Sequence, residues 1–185
     1  MDISLEEFDF SKYYGQYGYY PEKNFVVFYG NKGQDLLGNF WPMPKNISYN
    51  GVKANNIEAL YHSAKFPLKI SKKFNGLTAI KSFFLSRKYK KYVRQDWELV
   101  KEDVMLDLLR IKFHNPLCAL VLLATGSRYL VEHNPIKGRD NYWSDDHNGT
   151  GLNRLGILLM KIRKELHGYG IVEKPTEYIG WINNK

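Results

Sequence analysis

From Gln95 to Phe113 the apolar residues Trp97, Val100, Val104, Leu108 and Ile111 recur every three or four positions. That spacing is one stripe of a 3.6-residue helix and has no counterpart in a strand, so the chain must bury a long amphipathic helix. Asn153–Leu166 repeats the pattern through Leu155, Leu159, Ile162 and Leu166 and stops at Gly168. Pro116–Ala124 is an apolar helical run ending before Gly126, and Leu77–Ser86 reads as a further helix. Strand signals are shorter. Phe25–Tyr29 is β-branched and aromatic and bounded by Gly30, and Tyr129–His133 reads as a second short strand. Ile47–Tyr49 and Val52-Lys53 flank Asn50-Gly51, the dipeptide suited to a type I′ hairpin turn. The expected fold is α+β and mostly helical: a compact single domain with a few short strands and a hairpin. Residues 24–168 form the expected domain. Residues 1–23 read as an irregular aromatic extension carrying Tyr13, Tyr14, Tyr17, Tyr19 and Tyr20, and residues 169–185 as a tail packed on the domain.

At 185 residues with 44% hydrophobic content the chain can bury a core without staples. Its single cysteine, Cys118, lies in an apolar run, which excludes an internal disulfide and points to a buried thiol. No Cys/His cluster has zinc spacing, so neither a metal nor another cofactor is expected. The N-terminus lacks the basic-then-apolar pattern of a signal sequence, and no run approaches the ~18 apolar residues of a membrane span. The expectation is an intracellular, cytoplasmic protein without a membrane partner.

Chemistry concentrates in three stretches. In Asn55–Phe66, with Asn55 taken as N-cap, a helix ends before Pro67 and aligns Glu58, His62 and Lys65 on one face. An acid, an imidazole and an amine in a row suit catalysis. The same Glu58 also fits the third position of a capping box, and the face fits a solvated one. Between Ser71 and Arg94 lie Lys72, Lys73, Lys81, Arg87, Lys88, Lys90, Lys91 and Arg94 with no acid among them, interleaved with Phe74, Phe83, Phe84, Tyr89 and Tyr92. Cations for phosphates and flat faces for bases suit a nucleic acid or another phosphorylated partner. The third stretch, 135–151, is a loop by composition, with Asp140, Asp145 and Asp146 beside Tyr142 and Trp143. It opens a helix at Asn153, where Gly151, Asn153 and Gly156 suit a pyrophosphate at a helix N-terminus.

Phe28-Tyr29-Gly30, Leu37-Gly38-Asn39-Phe40, Glu58…Lys65-Phe66, Asp96-Trp97-Glu98, Leu122–Gly126, Leu130-Val131-Glu132, Asn141-Tyr142-Trp143 and Gly151–Gly156 follow one another in this order. Together, over about Asn24–His167, they resemble the NADAR superfamily. The resemblance implies an N-glycosidase that cleaves ribose from a base-like group. It implies Glu58 and Lys65 as catalytic residues, with Lys65 as an amine nucleophile and Asp140 or Asp145 assisting. Tyr29, Asn39, Phe40, His62, Trp97, Tyr142, Trp143, Gly151, Asn153 and Gly156 would bind substrate. Trp97 is also a core residue by periodicity, and Asn39 also suits a turn. His62 stands where the family has Gln, and Ile57 where it has Ser. Two substrate types follow from the resemblance: ADP-ribosylated guanine in nucleic acid, favoured by the basic stretch, and phosphoribosyl pyrimidine intermediates of riboflavin biosynthesis. The non-enzymatic alternative is an ADP-ribose or nucleic-acid binding module.

Overall fold

The computed structural model describes residues 9–15, 17, 22–29 and 35–184. Gly30, Tyr19 and Tyr20 lie outside the described residues.

The strands are β1 (Phe25–Phe28), β2 (Ile47–Tyr49), β3 (Val52–Ala54) and β4 (Tyr129–Glu132). The helices are α1 (Ile57–Ser63), α2 (Leu68–Ser71), α3 (Ala79–Lys88), α4 (Trp97–Phe113), α5 (Pro116–Leu123), α6 (Arg154–Glu165) and α7 (Thr176–Asn183). The expected mostly helical α+β fold is what the chain forms.

β1 and β4 pair in parallel, Phe25 opposite Tyr129 and Phe28 opposite Glu132. Parallel neighbours require a long crossover, which α1 to α5 and the β2–β3 hairpin supply, and they require cover on both faces. All four β1 residues are accordingly buried, and α6 packs on β4. The register brings both strands to an end at the same level, with Phe28 opposite Glu132 and Tyr29 next after Phe28. β2 and β3 form the expected antiparallel hairpin, and Asn50 and Gly51 at its tip have φ of 48° and 77°. Both values lie in the left-handed region that a type I′ turn demands.

The hairpin runs directly into α1, but the cap differs from expectation. Asn56, not Asn55, caps the helix, its side chain accepting the Ala59 N–H at 2.8 Å. Glu58 therefore sits one position earlier than a capping-box glutamate, and its carboxylate is free for another partner. Ile57, Ala59, Leu60 and Tyr61 are buried where α1 packs between α3 and α4. The tail is more regular than expected: it contains α7, whose fully buried Tyr178 and nearly buried Ile182 join the core. Of the aromatic lead-in, Tyr14 is buried, its hydroxyl donating to the Val121 carbonyl at 2.8 Å. Cys118 is buried, as its apolar setting implied. No helix of the described residues is long and apolar enough to cross a membrane.

Candidate active site

A cavity of about 470 Å³ opens at the carboxyl ends of β1 and β4. Three elements carry its chemistry. The first is α1 with the turn after it. Glu58, His62 and Lys65 all line the cavity, although the helix itself ends at Ser63. The turn Lys65 N–H to His62 C=O, 3.3 Å, keeps Lys65 on the same side. Glu58 Oε1 and His62 Nε2 lie 2.8 Å apart, and the Glu58 N–H donates to the Asn39 carbonyl at 3.1 Å. Lys65 Nζ stands 5.0 Å from the Tyr61 ring centre and 5.5 Å from that of Trp97. Burial lowers its pKa, against the opposing pull of Glu58 and Glu98, and the neighbouring Lys101 lowers it further. An amine in this setting sheds its proton more readily than a lysine in water.

The second element is the end of β4. Glu132 lines the cavity, and its backbone is pinned, its N–H donating to Asn153 Oδ1 at 3.0 Å. Burial raises its carboxyl well above the ordinary range, and the nearby carboxylates of Asp140 and Glu58 raise it further. The sequence reading quoted Glu132 within a motif and gave it no role. Its signal was an acid closing the apolar run Tyr129-Leu130-Val131, a position where a strand end delivers a carboxyl to a buried site.

The third is the loop 135–151. Asp140 lines the cavity, and its Oδ1 accepts the N–H groups of Tyr142 at 3.1 Å and Trp143 at 2.9 Å. Burial raises the Asp140 pKa against those two bonds, with Glu58 adding to the rise. Tyr142 and Trp143 form a wall of the cavity; Trp143 meets Tyr61 edge-on with ring centres 5.6 Å apart. Tyr142 is fixed from behind by its hydroxyl on Glu102, which also takes a two-pronged bond from Arg154, and from the front by Lys101 Nζ, 3.5 Å over its ring. Tyr29, Asn39, Phe40 and Trp97 complete the expected residues that reach the cavity. Trp97 is at once core, 6% exposed, and wall. Asn39 Oδ1 and His62 Nδ1 are buried with no hydrogen-bond partner among the described residues. Sequence reasoning also missed Glu98, Lys101 and Arg139, whose side chains line the same space from α4 and the loop. Their types carry no local signal; only folding sets them opposite α1.

Four expected site residues lie elsewhere. Asp145 is 1% exposed, and it accepts bonds from His133 Nδ1 at 2.7 Å, Tyr178 Oη at 2.5 Å and the Asn134 N–H at 3.0 Å. Burial would raise its pKa, but these bonds outweigh it and hold the carboxylate below its ordinary range. It anchors the loop to the tail. Gly151 and Gly156 are glycines of close packing: a Cβ would stand 2.2 Å from the Ser144 carbonyl oxygen at the first and 2.1 Å from that of Leu130 at the second. Asn153, φ 49°, turns inward, donating to Tyr129 Oη and the Leu130 carbonyl, each at 2.8 Å. Asn153 and Gly156 are buried, and the Gly151 N–H is taken by the Asp145 carbonyl at 3.0 Å. Of the basic stretch, only Arg87 reaches the cavity; the other seven cations are exposed outside it, and Arg94 is paired with Asp96 at 2.6 Å. Phe74 is fully buried, stacked on Phe66, and belongs to the core.

Residues 27–167 match the family model of the NADAR domain. The chain belongs to the NADAR family. Over 153 residues it is 34% identical to a riboflavin biosynthesis protein of Vibrio vulnificus, covering 81% of this chain and 38% of that protein. Over 84 residues it is 50% identical to the N-glycosidase YbiA of Shigella boydii, covering 44% of this chain and 50% of that protein. The NMR structure of Escherichia coli YbiA superposes with a TM-score of 0.69 at 29% identity, over 86% of this chain and 94% of that one. These alignments thus span half or less of the length of the two curated relatives, and the family match at 27–167 contains every residue that lines the cavity.

Proposed function

We propose that this NADAR domain is an N-glycosidase that cleaves the bond between ribose and a base-like group. The observation that carries the reading is the gathering in one cavity of a desolvated amine, Lys65, with the carboxyls of Glu58, Glu132 and Asp140. Loss of a base leaves positive charge on the ribosyl ring, which carboxylates stabilise, and it needs a proton for the base and a nucleophile for C1′.

In this mechanism the neutral Lys65 Nζ adds its lone pair to C1′ as the C1′–N bond breaks. The base departs with the bonding pair and takes the proton of Glu132, a carboxyl whose pKa burial raises well above the ordinary range. Glu58 stabilises the developing cation and then takes a proton from water. Opening of the C1′–O4′ bond, an Nζ proton passing to O4′, gives the Schiff base. The hydroxide of that water adds to its C1′, and the new C1′ hydroxyl passes its proton to Nζ as Lys65 leaves as the free amine. O4′ closes back on C1′, and the proton on Glu58 passes to Glu132. The balance is one water consumed, hydrogen to the base and hydroxyl to C1′. Asp140 holds ribose hydroxyls, Tyr142 and Trp143 flank the base, and the buried Asn39 Oδ1 accepts from its edge.

The substrate supported by the cavity lining is ADP-ribosyl-guanine of nucleic acid. Arg87, Lys101 and Arg139 line the cavity and supply charge for phosphates, Lys101 while paired with Glu98 at 2.5 Å. The names of the relatives favour a second reading, phosphoribosyl pyrimidine intermediates of riboflavin biosynthesis. Borohydride trapping with ADP-ribose, followed by intact mass measurement, tests the mechanism: the expected adduct disappears in Lys65→Ala. Hydrolysis without any adduct would overturn the amine route in favour of Glu58 and water. Absence of turnover on both substrate types, with ADP-ribose still bound, would reduce the domain to a binding module.

A further inference from the structure

The basic stretch is not spent on the cavity, and its geometry is specific. Along α3, Ile80, Phe83 and Arg87 line the cavity, spaced as one helix face. The adjoining face carries Phe84, 60% exposed, whose ring centre lies 5.6 Å from that of Phe83. Residues three and four apart are neighbours on a helix surface. The neighbours of Phe84 are therefore Ile80, itself 50% exposed, and Lys81, Arg87 and Lys88. The Arg87 guanidinium carbon stands 4.3 Å from the Phe83 ring centre, so a flat cation is stacked on an aromatic at the cavity rim. Beyond α3, Lys90 and Lys91 continue the charge, with Lys91 Nζ 5.0 Å from the ring centre of Tyr92, which is 47% exposed. No acidic residue occurs from Ser71 to Arg94.

Three of the four side chains one helical turn from Phe84 are cations, Lys81, Arg87 and Lys88, and the fourth is Ile80. Each base of a single strand offers a π-face and each linkage a negative charge, in the alternation this surface repeats. We propose that the outer face of α3, from Ile80 through Phe84 to Tyr92, binds single-stranded nucleic acid. A base flanking the reacting nucleotide stacks on Phe84, and Lys81, Lys88 and Lys91 contact the phosphates on either side. A single strand suits the site because a base must leave any duplex to enter the cavity. The proposal deepens the glycosidase reading by making the substrate a polymer, and it rests on that reading only for the word substrate.

The test is fluorescence anisotropy of the full chain with a labelled, unmodified single-stranded 12-mer at several salt concentrations. Phe84→Ala and Lys88→Ala are the variants, neither of them a cavity residue, and melting curves check that both fold. Phe84→Ala is expected to weaken binding about tenfold. Lys88→Ala is expected to lower the slope of log affinity against log salt by roughly 0.7. Wild-type affinity in both variants would overturn the proposal, as would tighter binding of the matching duplex. Equal competition by a poly-glutamate peptide would overturn it in favour of an acidic protein partner. If the strand binds as predicted and nothing is hydrolysed, the surface stands and the glycosidase reading falls. If a mononucleoside substrate is hydrolysed and the strand is not bound, the reverse holds.

Discussion

Replacing Asn153 by Ala separates two accounts of one residue. As a pyrophosphate ligand, its loss would raise KM and leave the fold intact. The structure instead makes it a buried tie between α6 and β4: it is 2% exposed, accepts the Glu132 N–H at 3.0 Å, and donates to Tyr129 Oη and the Leu130 carbonyl at 2.8 Å each. Three such bonds contribute about 1 kcal/mol each. Alanine at a φ of 49° adds about 1 kcal/mol of left-handed strain. The expected destabilisation is about 4 kcal/mol, which in a chain of this length lowers Tm by roughly 8–16 °C. Asn153→Gly loses the same bonds and escapes the strain, so it should melt a few degrees above the alanine variant. Differential scanning calorimetry of the three proteins measures both differences. A Tm within 2 °C of wild type for Asn153→Ala, together with a raised KM, would refute the tie and restore the ligand.

The pH dependence of kcat/KM should be bell-shaped. Rate rises as Lys65, its pKa lowered by burial, loses its proton, and falls as Glu132, its pKa raised by burial, loses its own. Glu132→Gln should cost roughly 10²–10⁴ in rate and abolish the alkaline limb; an unchanged limb would exclude Glu132 as donor. Glu102 lies behind the cavity wall and holds Tyr142 and Arg154, so Glu102→Gln should raise KM about fivefold with kcat little changed. Steady-state kinetics showing a fall in kcat alone would count against that role. Asp35, fully buried, has its pKa raised to about 7 by burial, against hydrogen bonds from three backbone N–H groups and the charge of Lys112. The folded protein then holds a proton that the unfolded chain, with the ordinary value of 3.8, has released. Its contribution is therefore complete below about pH 3.8 and lost as pH rises through 7. In urea titrations the wild-type midpoint should fall relative to that of Asp35→Asn across this window; parallel curves would contradict the assignment.

Helices and the hairpin were legible because their determinants are local. Periodicity placed α4 and α6 to within two residues at each end, and Asn50-Gly51 announced its own turn. The α1 cap was misplaced by one residue because Asn55 and Asn56 offer the same side chain, and only Asn56 lies within reach of the Ala59 N–H. From sequence, 169–185 reads only as a tail packed on the domain, because the α7 helix depends on burying Tyr178 and Ile182.

The candidate site divides along the same line. The sequence alone determined that Glu58 and His62 face one way, since 3.6 residues per turn dictates it, and the resemblance it carried supplied the chemistry. Lys65 lies past the helix end, and the turn onto the His62 carbonyl keeps it on that side. Tertiary structure decided which acids meet that face. Asp140 and Asp145 are five positions apart in one loop and indistinguishable by composition. Yet one turns to the cavity on the N–H groups of Tyr142 and Trp143, and the other is spent on His133 and Tyr178. Glu132 meets Glu58 only because β4 pairs with β1 in a register set more than a hundred residues apart. A carboxyl's pKa, and so its role, follows from what is packed around it, and that packing exists only once the chain has closed on itself.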